Sequence, residues 1–295
     1  MPVKPPKINL AALKTTPEEI HRQKVALIKF IIAAVITVVF FYCAIHWRIF
    51  IFVFMGWVFV CAVYSAIFNK KNIQIDQKLK QFAADNKLEY QNDETYTSNG
   101  TLFYIGNKNH KTGGMLIGEL YGYAYRLYGH TFTIGHGKSE SFEYYAVVEV
   151  DLPKQLPNIF IHPISGADKI MEDTLVVFSR QDYMKLEGDF SKHFKVYMIK
   201  KYATAGLTIM NPGFMQRLID QKIDYNIEFI DKKAYLYFAF TLLESQKNME
   251  YIYEATDFII LELQKQLDTF TYKPKKAGDD DLSISSLRNF EINNL

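Results

Sequence analysis

The feature that most constrains this chain is the crowding of apolar residues into positions 25–68: VALIKFIIAAVITVVFFYCAI, then HWR, then IFIFVFMGWVFVCAVYSAIF. Each flank of HWR offers about 20 residues of apolar chain, the length a helix needs to cross a bilayer. One unbroken helix through both would run roughly 65 Å, about twice the hydrocarbon thickness. The expectation is therefore a transmembrane hairpin with spans at 25–45 and 49–68. A cleaved signal peptide does not fit, because its apolar core is only about 7 to 15 residues long and no second span follows at once.

Basic residues set the orientation of such a hairpin. Lys4, Lys7, Lys14, Arg22 and Lys24 precede the first run, Lys70, Lys71, Lys78 and Lys80 follow the second, and the turn carries His46 and Arg48. Both termini are expected in the cytoplasm, with Lys70 and Lys71 at the near interface and Tyr42, Trp47 and Arg48 at the far one. Lys29 lies near the inner end of the first span, where its stem can snorkel to the headgroups. Folding the hairpin about Trp47 leaves Cys43 and Cys61 about 15 Å apart in depth, while a disulfide needs Cα atoms within about 7 Å. Gly56, Ala62, Ser65 and Ala66 are small enough for close helix contact, which makes a homo-oligomer through the spans one possible assembly.

The rest of the chain reads as one soluble unit. Residues 1–24 form a basic, Pro-containing segment, and 72–272 carry an α+β domain. Residues 273–295 (KPKKAGDDDLSISSLRNFEINNL) have the composition of a disordered tail. Lys plus Arg (34) nearly balance Asp plus Glu (32), so no single-sign field points to nucleic acid. Residues 72–87 predict a juxtamembrane helix with Ile75, Leu79, Phe82 and Ala83 on one face. From Thr101 the apolar period becomes two: TLFYIG, GGMLIGELYG, YAYRLYGHTFTIG, SFEYYAVVEVDLP and NIFIHP predict antiparallel strands, with breaks at Asp151-Leu152-Pro153 and at a turn over 154–157. FSKHFKVYMI (190–199) alternates as a further strand. Asn211-Pro212 predicts a helix start with Phe214, Leu218 and Ile219 inward. Residues 225–230 and 234–240, joined by Asp231-Lys232-Lys233, predict a hairpin, and 247–270 a long amphipathic helix carrying Ile252, Ile259, Ile260, Leu263 and Leu267.

The stretch YGHTFTIGHGKSESFEYY (128–145) gathers two histidines, three glycines, a lysine and two serines. A phosphate loop needs its glycines between a strand and a helix, so that amides and the helix dipole converge on the anion. Here a second strand follows, and a hairpin tip is the reading. His130 and His136 would stand roughly 20 Å apart along one strand, too far to share a metal ion. There is no nucleophile elbow, no HExxH and no cysteine outside the apolar runs. No metal site and no cofactor is expected. His130, His136, His162 and Asp189 are the group that a membrane-tethered hydrolase would have to use.

One segment carries a resemblance. Residues 186–240 contain an acidic-Phe-x-x-x-Phe-x-Val-Tyr run (Asp189, Phe190, Phe194, Val196, Tyr197), an apolar run to a Pro-containing helix start (Leu207, Pro212, Phe214, Met215, Leu218), and a strand pair. Together with VVEVDLPKQLPNIFI (147–161) this resembles the distal part of bacterial membrane proteins assigned to a domain of unknown function. It departs from them before the helix, where Lys201 and Thr204-Ala205-Gly206 replace an acidic residue and an Ala-Arg pair. The resemblance implies two N-terminal spans ahead of a cytoplasmic α+β domain, and it brings no catalytic residues with it. The expected function is a non-enzymatic binding or scaffold module at the membrane face, with the lipid bilayer and a protein or peptide as partners. The rival expectations are the hydrolase and the span-driven assembly.

Overall fold

A computed structural model of the chain describes residues 8–10, 28, 31–36, 56–61, 75–104, 108–134, 140–164, 183–186, 188–198, 202–240, 245–267 and 270. The chain divides into two compact units, Asn9–Asn86 and a larger one formed by Met1–Ile8 with Lys87–Leu295.

In the first unit, 31–36 and 56–61 are helical, and α1 (75–86) is the helix expected before the sheet. Leu79, Phe82 and Ala83 of α1 are buried, as their spacing of three and four residues predicts, whereas Ile75 is exposed. The Asn86 side chain closes the helix: its Nδ2 donates to Phe82 O at 2.8 Å and to Asn9 O at 2.9 Å, and its Oδ1 accepts from Asn9 N at 2.6 Å. Among the described residues no helix is long and apolar enough to cross a membrane. Most of the expected spans 25–45 and 49–68 lies outside the described residues, as do Lys29, Trp47, Arg48, Lys70, Lys71, Cys43, Ala62, Ser65, Ala66 and the tail 273–295. Cys61 carries a free, exposed thiol.

The larger unit is α+β with a seven-stranded, antiparallel sheet and a long helix near the end of its described part. β1 (Glu89–Gln91), β2 (Lys108–Leu120), β3 (Tyr123–Ile134) and β4 (Ser141–Pro163) pair in sequence order. β2 and β3 are joined by Tyr121 and Gly122, whose φ values of 54° and 82° fit the mirror-image two-residue turn that matches strand twist. β5 (Tyr183–Met184) pairs with β6 (Phe194–Met198), β6 with the far end of β4, and β7 (Asn226–Phe238) with β4 along most of its length.

β4 and β7 are where the chain departs most from the sequence expectation. The predicted break at 151–157 does not occur, and β4 runs 23 residues as one strand. The predicted hairpin 225–240 is likewise one strand, β7. Asp151 pairs with Lys233 and Leu156 with Asp231, so four residues of β4 face a single residue of β7 between these pairs. Pro153 therefore falls in a bulge, where no ladder N–H is required of it. Asp231 takes up the kink on β7 with φ 53°. The bent ribbon serves two groups of strands, since 141–150 of β4 pair with β3 and 159–163 with β6.

Two further runs are corrected. Thr101–Tyr104 forms a 3-10 turn rather than a strand, closed by Phe103 N donating to Gly100 O at 3.0 Å. A Cβ on Gly100 would collide with the Tyr237 hydroxyl, so this turn lies directly on β7. Phe190–His193 is one helical turn, α2, before β6 begins at Phe194, because Asp189 and Lys192 pair at i, i+3. α3 (Ala203–Ile209), which the sequence reading did not anticipate, packs Gly206 against Met198 and Ile159.

α4 (Pro212–Asp220) starts as predicted: Asn211 Oδ1 accepts from Phe214 N at 3.0 Å, proline opens the first turn, and Phe214 and Leu218 are buried. α5 (Gln246–Leu267) buries Ile252, Ile259, Ile260, Leu263 and Leu267. It covers the sheet face carrying Tyr125, Leu127, Val148 and Leu236, with the Tyr125 and Tyr253 hydroxyls 3.1 Å apart. The opposite face carries Tyr128, His130, Phe132, Tyr145, Val147, Tyr235 and Tyr237. It is covered by residues 92–104, here called the strap, which press Leu102 and Phe103 into it.

Replacing the cap by Asn211→Ala is expected to cost about 1 kcal/mol and Asn211→Gly only a few tenths, read by urea denaturation. A second expectation concerns pH. Burial, reinforced by the charge of Glu254 and opposed by the Tyr121 hydroxyl, raises Asp257 on α5 from 3.8 to about 6. An acid whose folded value is raised stabilises the fold below its unfolded value and loses that contribution as pH rises through the folded one. Asp257→Asn should therefore be more stable than the parent at pH 7. Denaturation midpoints measured from pH 3 to 8 should show the difference vanishing below about 3.8.

Candidate polar centre beneath the strap

The strap is held to the sheet by two buried glutamates that interrupt apolar strands, Glu149 in VVEVD of β4 and Glu228 in NIEFI of β7. Glu149 lies on the same strand face as Val147 and Tyr145, and Tyr235 of β7 stands opposite it in the ladder. Isolated in that core, a carboxylate would cost several kcal/mol. It is compensated on every side. Tyr96 donates to both oxygens at 3.0 and 2.9 Å, Ser98 Oγ donates at 2.8 Å, Tyr128 at 3.2 Å, Arg126 Nη1 at 3.2 Å, and Lys233 Nζ forms a further short ion pair. Arg126 also reaches Asp151 at 3.0 Å. Tyr235 extends the network, lying 2.7 Å from Ser98 and donating to Asn99.

The phenols are held in their donor form. Burial and the Glu149 charge push Tyr96 up to about 12, and burial with the same charge pushes Tyr128 well above the ordinary phenol range. Glu228 is compensated by neutral donors alone: Thr101 N at 2.8 Å, the Thr101 hydroxyl and the Tyr237 hydroxyl. Burial raises its pKa against the pull of those hydrogen bonds. A carboxylate offers about four acceptor positions. At Glu149 they are taken by three hydroxyl donors and two cations, so the group acts as a clasp and has no lone pair spare for abstracting a proton.

The described residues among those singled out from sequence, His130, His162 and Asp189, do not come together. His130 is buried on β3 opposite Tyr145, with Nε2 3.1 Å from His110 Nδ1 and Nδ1 3.3 Å from Thr112 Oγ1. His162 is buried 17 positions further along β4 than Tyr145, and its Nδ1 donates to Asn226 Oδ1 at 2.7 Å. Asp189 is exposed and paired with Lys192 at 2.6 Å. His136 and the tip 135–139 lie outside the described residues, but Ile134 pairs with Ser141, so the glycine-rich stretch joins two strands as expected. Among the described residues no group of three or more His, Cys, Asp or Glu could hold a metal ion. Glu149, Glu228 and the strap were not anticipated. The available signal was a glutamate at the inward position of an otherwise apolar alternation, in two separate strands.

The two carboxylates make opposite predictions. Glu149→Gln removes the charge from beneath Arg126 and Lys233 and should cost about 3–5 kcal/mol in chemical denaturation. At Glu228→Gln the Thr101 hydroxyl can turn to accept from the new amide, and the cost should stay near 1 kcal/mol.

No family model matches this sequence, and no curated protein matches it. Among solved structures, it is similar to the crystal structure of the mycobacterial trehalose monomycolate transport factor A, TtfA. The alignment covers 68% of this chain and 98% of that one, at 8% sequence identity and a TM-score of 0.44.

Proposed function

We propose that this chain is a membrane-anchored binding or scaffold module: a hairpin of spans at 25–45 and 49–68 with both termini in the cytoplasm, carrying the α+β unit as a non-enzymatic recruitment surface. The observation that carries the reading is the bareness of the helical apolar residues in the first unit. Ile28, Ile31, Ile32, Val35 and Ile36 are 52–57% exposed, and Trp57, Val58 and Phe59 are 47–70% exposed. Such a density of uncovered aliphatic and aromatic side chains is unfavourable in water and natural against lipid tails. The basic flanks give the orientation. The two-span bacterial proteins that residues 186–240 resemble have the same layout.

The polar centre favours recruitment over hydrolysis, because Glu149 is saturated and His130 and His162 are each engaged inside the sheet. The larger unit also leaves Phe142 (65%) and Tyr144 (50%) exposed side by side on β4, an aromatic pair of the kind that anchors protein contacts. A test is affinity capture of the full-length protein in mild detergent beside a chain lacking residues 1–69, after carbonate extraction of membranes. The expected result is a full-length chain that stays in the membrane pellet and partners that persist without the spans. Release of the full-length chain by carbonate would refute the anchor, and turnover in an unbiased hydrolase screen would refute the non-enzymatic reading.

A further inference from the structure

The two histidines at the edge of the strap form a directed hydrogen-bond chain. Thr112 Oγ1 donates to the Tyr96 carbonyl at 3.0 Å. A hydroxyl has one proton, so at its contact with His130 Nδ1 the threonine oxygen must accept. This network assigns His130 as the Nδ1–H tautomer with a bare Nε2, and requires His110 Nδ1 to donate to it across 3.1 Å. Every donor then points the same way, from His110 on β2 through His130 and Thr112 to the strap. The ring of Phe103, from the far end of the strap, lies 4.3 Å from that of His130, and Phe132 stacks on His110.

The chain can take one proton without breaking, on His110 Nε2. It cannot take a second, because His130 Nδ1 is already protonated and Nε2 receives the His110 N–H. The charged groups on the surrounding elements are Asp93 and Glu94 of the strap, Lys111 on β2, Arg126 on β3, and Glu143 and Glu149 on β4. Glu94 pairs with Lys111, Arg126 with Glu149 and Asp151, and Glu143 with Ser141, and among the described contacts none bonds either imidazole. Among the described residues no carboxylate bonds either ring to stabilise a second imidazolium.

We propose that His110, His130 and Thr112 are an acid-sensitive latch that holds the first half of the strap, residues 92–97, and releases it when both imidazoles are protonated, because two N–H groups then face each other across the His110–His130 contact and drive His130 off Thr112. The Thr112 N–H to Glu94 O bond at 3.3 Å and the Gly114 N–H to Asn92 Oδ1 bond at 3.4 Å open with it. Burial, with the charge of His110 adding to it, lowers His130 from 6.5 to about 3. A base whose closed-state value is depressed stabilises the closed state above its open-state value, and that stabilisation is lost as pH falls. The window is therefore pH 6.5 down to about 3. Within it the open population rises about tenfold per pH unit.

The test is hydrogen exchange on the full-length protein in detergent at pH 6.5 and 4.5, corrected for intrinsic rates. Amides of 92–97 with Thr112 should lose protection about fiftyfold, while those of α5 hold theirs. His130→Asn cannot take the proton and should show no such loss. Should that variant fail to fold, imidazole 15N shifts of the parent serve instead, and must show His130 neutral with hydrogen on Nδ1 at pH 6.5. A strap that follows α5 at both pH values overturns the latch. So does an equal loss in His130→Asn, which would assign the pH response to a group other than the imidazole pair, or an Nε2–H tautomer at His130.

Discussion

Burying two carboxylates in a β-sheet core is the constraint on which the architecture of the larger unit turns. Neither Glu149 nor Glu228 can be left without partners at essentially zero exposure, and strands β3, β4 and β7 alone do not supply enough donors. The missing ones come from the strap: Tyr96 and Ser98 for Glu149, Thr101 for Glu228. The loop between the edge strand β1 and its neighbour β2 thus becomes the cover of this sheet face, with Leu102 and Phe103 filling the apolar space between the two anchor points. The opposite face needs no such device, because α5 presents a continuous apolar stripe to it.

The same economy explains the crowd of tyrosines. A phenol buries a large apolar ring and still delivers a donor at its tip, which suits a core built around carboxylates. Tyr96, Tyr128 and Tyr237 donate to the two glutamates, and Tyr235 ties the strap to the centre through Ser98 and Asn99. Where the cations enter, at Arg126 and Lys233, the centre meets solvent at just over a quarter exposure, so charge is compensated from the rim and hydrogen bonds are supplied from within.

Much of this was legible locally and little of it globally. The strand Tyr123–Ile134, the capped helix at Asn211 and the closing helix all followed from short-range rules, since a cap or a strand period is decided by residues close in sequence. The misreadings at 101–104, 151–157 and 225–240 share one physical cause, whereas the helical turn at 190–193 is local. Proline, a charge cluster or a helical turn in those three segments is resolved by a partner distant in sequence: Asp231 opposite Leu156 lets β4 run on through Pro153, and Tyr237 and Glu228 fix the turn at Thr101.

By itself the sequence determined the division of the chain into an apolar N-terminal region and an α+β unit, the strand-rich character of that unit, the capped start of α4 and the presence of α5. These depend on composition and on periods of 2 and 3.6 residues, which any short window displays. Only the tertiary structure decided that β4 and β7 are single bent strands, that His130 bonds His110 rather than approaching His162, and that Glu149 is a clasp. Those outcomes depend on which side chains meet across 20 to 130 residues of chain, and hydrogen-bond satisfaction in a dry core is fixed by that meeting alone.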